Sequence, residues 1–182
     1  QTAWAVLYLM SMDVRMREVM LGQGEQIASF PSHIRNRSDN RILKIDEYPD
    51  KNPWNFFRED ELLGNELGDM HCPLRLTYDK LGPYAYMPYL ITGDYFYLEE
   101  MMFLSTFGLF SIWPPHRGYE KGISFGESRA AAYTSQNTLY AAITAPDSWP
   151  EQIYFQEKVN NTIEYALSMM DTVDHNNTFG FY

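Results

Sequence analysis

Apolar residues recur every three or four positions over six stretches of this chain. That is the spacing of helices with one face turned to a core. It predicts helices over roughly 2–11, 13–29, 84–92, 95–112, 127–143 and 149–171. In the last of these Phe155, Val159, Ile163, Ala166, Leu167 and Met170 form one stripe, which predicts a buried face along its whole length. The first stretch, Thr2 to Met10, is apolar almost all round and reads as the middle of a buried helix. Met101 to Trp113 is also nearly unbroken, but it falls short of the roughly 20 residues a membrane span needs and follows Glu99 and Glu100. It predicts a helix packed on most sides. Ala130, Ala131, Ala132, Ala141 and Ala142 predict close approach of the fifth helix to its neighbours. Short strand signals lie within 41–45 and 73–77.

Laid on itself, the chain repeats. Tyr8-Leu-Met-Ser-Met-Asp13 is followed by Glu18 and Met20, and Tyr89-Leu-Ile-Thr-Gly-Asp94 by Glu99 and Met101 at the same offsets. In each, an apolar helix stops at a short turn whose Asp suits the N-cap of the next helix. Ala141-Ala-Ile-Thr-Ala-Pro-Asp147 is a weaker third copy. The six helices therefore form three pairs with tight turns inside them and long connections between them, 30–82 and 113–126. Ordered long loops on one side of a helical scaffold are where function concentrates. Their other use is to cover the open ends of a core.

With 182 residues the chain suits a single domain. Lys plus Arg number 14 against 24 Asp plus Glu, a net charge of −10, which opposes a general nucleic-acid binder and adsorption to anionic lipid. The one cysteine, Cys72, precludes an internal disulfide and a cysteine-based zinc finger. His71 beside Cys72 has no second pair at ligand spacing, so neither metal nor cofactor is predicted. No nucleophile elbow, P-loop, dinucleotide fingerprint or HExxH motif occurs. Asn36, Asn160 and Asn176 open N-x-Ser/Thr triplets, with Asn160 on a predicted helix. Apolar beginnings and aromatic ends (Phe179, Phe181, Tyr182) predict a segment of a longer polypeptide, or ends covered by other subunits.

The segment Tyr84-Ala-Tyr-Met-Pro-Tyr-Leu-Ile-Thr-Gly-Asp-Tyr-Phe-Tyr-Leu-Glu-Glu-Met101 resembles a helical hairpin of (α/α) toroids, as in six-hairpin glycosidases and polysaccharide lyases. It is most similar to large, mostly uncharacterised bacterial and phage proteins carrying a tyrosine-rich "YLxTGDxYYLEE" turn. In those, an Arg-Gly loop and a Ser/Arg/Ala-rich helix start follow, matched here by Arg117-Gly-Tyr-Glu-Lys-Gly122 and Glu127-Ser-Arg-Ala-Ala-Ala-Tyr133. The resemblance covers about residues 83–165. One departure is Asp79-Lys-Leu-Gly-Pro83, where the pattern has a His-x-Pro segment. The resemblance implies an all-α fold of three antiparallel hairpins forming an arc of an (α/α) toroid, with long irregular loops on one edge. It also implies a carbohydrate-active or carbohydrate-binding part of a surface- or phage-associated protein, outside the cell or on a virion. The alternative is a structural or assembly module without catalysis.

Sugar chemistry narrows the candidates to the loop side. A glycosidase needs two carboxylic groups, one protonated and one ionised. The loops offer Asp46, Glu47, Asp69, Asp79, Glu120 and Glu127. A lyase needs a Tyr or His base and cations to neutralise a uronate, for which His71, Tyr78, His116, Arg117, Tyr119 and Arg129 are of the right type. His116, Tyr119, Glu120 and Glu127 are the catalytic candidates. Trp54, His71, Tyr78, Tyr84, Trp113, Arg117 and Arg129 are the substrate-binding ones, with Trp54, Trp113 and Tyr84 supplying rings to stack on sugar faces. Arg129, near a helix start, gains nothing from the macrodipole and calls for a carboxylate partner, Glu127 or Glu120, or a substrate. The basic island from His33 to Lys44 is either a surface for an acidic partner or a loop balanced by nearby acids.

Overall fold

Two turns of the chain are built alike, bond for bond. In the computed structural model, which describes residues 2–53 and 77–171, helix α1 (Ala3–Ser11) ends at Met12 and α2 (Val14–Gln26) begins after Asp13. Helix α3 (Tyr86–Thr92) ends at Gly93 and α4 (Tyr95–Ser111) begins after Asp94. Met12 and Gly93 both take the left-handed conformation, φ 54° and 68°, and each donates its N–H to a tyrosine carbonyl, Tyr8 or Tyr89, at 2.7 Å. Ser11 Oγ and Thr92 Oγ1 donate back to Leu7 O and Pro88 O, both at 2.7 Å, and accept from the N–H of Asp13 and Asp94. The two aspartates then cap the next helix, accepting from Arg15 N at 2.9 Å and Phe96 N at 3.0 Å. The orphan groups at four helix ends are thus satisfied locally. The third copy keeps part of this: Thr144 Oγ1 donates to Tyr140 O at 2.6 Å and Ala145 N to Ala141 O at 3.0 Å. Ala145 then takes an extended conformation before Pro146, in place of the left-handed residue.

Helices α5 (Ser128–Thr144) and α6 (Pro150–Asp171) complete six α-helices among the described residues. Each helix packs on the next in chain order, most extensively α4 on α5 and α5 on α6. The architecture is all-helical. In place of the strand signal at 41–45 there is one isolated antiparallel bridge, Arg35 to Ile42. Most of 73–77 lies outside the described residues.

Helix α4 is the axis of the core. Every residue from Glu100 to Phe110 is buried, and Phe103, Leu104, Leu109 and Phe110 are sealed completely. Gly108 lets α5 come close: a Cβ there would stand 2.8 Å from Thr134 Oγ1. Ala130, Ala141 and Ala142 are buried on α5, while Ala131 is partly buried and Ala132 exposed. No helix among the described residues is long and apolar enough to cross a membrane.

The basic island is balanced from within. His33 Nε2 donates to Glu100 at 2.9 Å, Arg35 pairs with Glu99 at 3.0 Å, and Arg41 grips the buried Glu151 with two bonds of 2.5 Å. His33, Arg35 and Arg41 thereby fasten residues 33–41 to α4 and α6.

Two expectations of burial fail, at opposite ends of the helix order. On α1 only Ala5 is buried; Leu7 is 45% exposed and Met10 81%. On α6 the stripe is buried at Phe155 and then emerges, with Ile163, Leu167 and Met170 all more than half exposed. The physical reason is common to both. The apolar pattern marks which face needs cover, and among the described residues α1 packs chiefly on α2 and α6 chiefly on α5.

Candidate functional site

The loop after α4 is folded around a buried guanidinium. Gly118, Tyr119 and Gly122 all have positive φ, near 60°, and curl residues 117–123 back on themselves. This brings Arg117 beneath the last turn of α4. Its Nη1 donates to Phe110 O at 3.0 Å and Ile112 O at 2.6 Å, and its Nη2 to Pro49 O at 2.9 Å and to Lys51 O. Nε reaches Tyr119 O at 3.4 Å. Carbonyls left over at a helix C-terminus favour a cation, and here they share it with segment 49–51. Burial lowers the Arg117 pKa to about 10, which still leaves it charged at neutral pH. A side chain with no exposed surface and its donors spent on main-chain carbonyls does not meet a substrate. Arg117 is a clamp, in place of the substrate-binding role expected from the sequence.

Lys158 of α6 is the second clamp, and sequence reasoning passed over it. It is buried, with Nζ donating to Glu120 O at 2.8 Å, to Glu157 Oε1 at 2.8 Å and to Asp46 Oδ1. The signal was present: Lys158 stands three residues after Phe155, on the buried side of α6. Gly122 passes so close that a Cβ would lie 3.0 Å from Lys158 Cδ. Asn161 Nδ2 bonded to Lys121 O and Thr162 Oγ1 bonded to Ser124 N continue the strap along α6. On this pinned loop Trp113, His116, Tyr119 and Glu120 carry exposed side chains.

A different group of candidates does converge. Arg129 Nη2 meets Asp79 Oδ2 at 2.6 Å, with Glu127 Oε1 at 3.9 Å and Lys80 on the same aspartate at 3.1 Å. The first carboxylate partner of Arg129 is thus Asp79, which was not among those expected; Glu127, which was, stands second, and no ion pair among the described residues joins Arg129 to Glu120. Asp79 is held at a pKa of about 2 by the Thr77 hydroxyl, then Lys80 and Arg129. Tyr78 moves the other way, raised by burial and then by the charges of Glu127 and Asp79. A phenol kept protonated is the reverse of a tyrosinate base, and an aspartate ionised to pH 2 is no general acid. The cluster suits binding more than proton transfer. No hydrogen bond or ion pair among the described residues joins His116, Tyr119 or Glu120 side chains to it.

Next to this cluster, a cavity of about 160 Å³ opens between the end of α2 and the segment before α3, lined by Gln23, Gln26, Phe30, Lys80, Leu81 and Tyr84. Tyr84, a predicted ring platform, donates its hydroxyl to Lys80 O at 3.1 Å. The cavity is smaller than the roughly 300–1,000 Å³ of ordinary ligand pockets. No three His, Cys, Asp or Glu residues among those described are grouped to hold one metal ion. Trp54 and His71 lie outside the described residues. Compared with known proteins, the chain matches no family model, no curated protein and no solved structure.

Proposed function

We propose that this chain is an arc of antiparallel helical hairpins of the (α/α) toroid kind and works as an assembly module, its terminal helices meant to be covered by further protein. One comparison carries the reading. Met87 and Pro88 on α3 are buried, and the residues 81 positions earlier in the repeat, Val6 and Leu7 on α1, are 42% and 45% exposed. The repeated turn sets both helices up in the same way; among the described residues α2 is seated on α3, while no helix but α2 packs extensively on α1. A helix that is apolar all round is a buried helix in its working state.

Amide hydrogen exchange over residues 3–11 tests this. In the native assembly these amides should exchange slowly, and in the chain alone the helix should open readily. Equally fast exchange in both would remove the assembly reading.

A carbohydrate role is the second reading, favoured by the Tyr78, Asp79, Glu127 and Arg129 cluster beside the amide-lined cavity at Tyr84. Amides and a tyrosine ring suit sugar hydroxyls and faces. Calorimetric titration with neutral and uronate oligosaccharides is the test. Binding that Tyr84→Ala and Arg129→Ala both abolish would support it, and binding indifferent to both would sink it.

A further inference from the structure

We propose that His33 and Glu100 form a proton-operated latch: the charged imidazole fastens residues 30–34 to α4, and the neutral one lets them lift. The proposal goes beyond both functional readings and depends on neither.

Glu100 makes a latch possible because it is buried and has one partner. It opens the run of α4 in which every residue from Glu100 to Phe110 is buried, and its side chain is 5% exposed. His33 Nε2 faces both of its oxygens, at 3.0 and 2.9 Å. Among the described residues no other hydrogen bond or ion pair reaches that carboxylate. A buried carboxylate is tolerated while paired and becomes costly when its partner is lost. The imidazole has two acceptors to serve, Glu100 and the main chain of Phe30. Only the imidazolium donates from both nitrogens, so the neutral ring has to give one bond up. The ring is held in place by Phe103, which it meets edge-on at 4.8 Å.

The surroundings leave the decision to this one proton. The charged groups that face His33 are Glu100 of α4 and Arg35 of its own segment. Glu99 of α4 is taken by Arg35 at 3.0 Å, and Glu151 of α6 by Arg41 with two bonds of 2.5 Å. Of these residue types histidine alone ordinarily titrates between about pH 5 and 8. Its pair with Glu100 raises the pKa of His33 above 6.5, so the fastening is complete below about pH 6.5 and fades as pH rises through the folded value. Arg35 and Arg41 keep their carboxylates as this happens, which confines the release to the residues before them. Phe30 is a wall of the cavity beside Tyr84, so the latch also sets how firmly that wall is held.

Amide hydrogen exchange on the 182-residue chain, corrected for the intrinsic effect of pH on exchange, tests this. The reporters are the N–H groups of Phe30, Ser32 and Ile34, bonded to Ile27 O, Phe30 O and Ser32 O. Between about pH 6 and about pH 8.5 their protection should fall by about tenfold, the factor carried by one unit of pKa. At the higher pH they should also exchange faster than the amides of α5, because the segment opens without the rest of the fold. Glu100→Gln should remove the pH dependence. His33→Asn, on the half-buried side of the pair, should leave protection low at both values. Equal protection at the two pH values overturns the proposal, as does a pH dependence that persists in either variant. Segment amides as well protected as those of α5 at the higher pH overturn it too.

Discussion

Replacing Arg117 by alanine would strip the carbonyls of Phe110, Ile112, Pro49, Lys51 and Tyr119 of their shared donor. Leaving buried acceptors unpaired costs on the order of 1–3 kcal/mol each before relaxation, so Arg117→Ala should lose about 3 kcal/mol or more. Urea unfolding should show a lower midpoint at an unchanged slope. Arg117→Lys should recover less than half of that, because a point ammonium does not span the carbonyls a planar fork reaches. At this scale the sequence misleads in an instructive way. Arg117-Gly-Tyr reads as an exposed polar loop, since nothing local reveals that residues 49–51 and the end of α4 converge on it. His33 offers a second residue-scale prediction. Its bond to Glu100 raises its pKa above the ordinary 6.5, against the opposing effects of burial and of Arg35. A raised pKa in the folded state stabilises fully below about pH 6.5 and loses that stability as pH rises through the folded value. Thermal melts should therefore fall on the alkaline side of pH 6.5, and Glu100→Gln should flatten that part of the profile.

The matching turns make a prediction about elements. Both need a left-handed residue, but one holds Gly93 and the other Met12, at φ 68° and 54°. A side chain there costs roughly 1–2 kcal/mol, partly offset because glycine also frees the unfolded chain. Met12→Gly should thus stabilise the protein by about 0.5–1 kcal/mol and Gly93→Ala should destabilise it by a similar amount. Opposite shifts in melting temperature would bear out the equivalence of the two turns; shifts of one sign would deny it. Elements were the most legible level of this fold. Asp13 and Asp94 mark helix starts because a capping carboxylate acts within three residues, and the expected ranges match α1, α3, α4, α5 and α6 to within two residues. The stripe on α6 shows the limit. Phe155 and Met170 look equally core-like in sequence, yet one is sealed and the other 66% exposed. Periodicity reports what a helix face wants and is silent on what stands opposite. The site was legible in a similar measure. The need of Arg129 for a carboxylate follows from its position, whereas its choice of Asp79, fifty residues away, depends on how residues 78–80 lie along α5.

For the whole molecule, charge and apolar contact make opposed demands on assembly. The chain carries a net charge of −10, so an acidic partner is repelled on approach. The surface that the assembly reading leaves to be covered is apolar, since α1 carries no charge. Raising ionic strength from about 0.01 M to about 0.1 M shortens the Debye length from about 30 Å to about 10 Å. Protection of residues 3–11 in the native assembly should therefore hold or strengthen over that interval, as hydrogen exchange would measure. Burial of apolar surface should also give the association a negative heat-capacity change. Loss of protection with salt would mean that ion pairs hold the cover in place. The contact would then have to lie elsewhere, on the acid-rich faces of α4 and α6 and the cations that pair with them, because α1 has no charge to contribute.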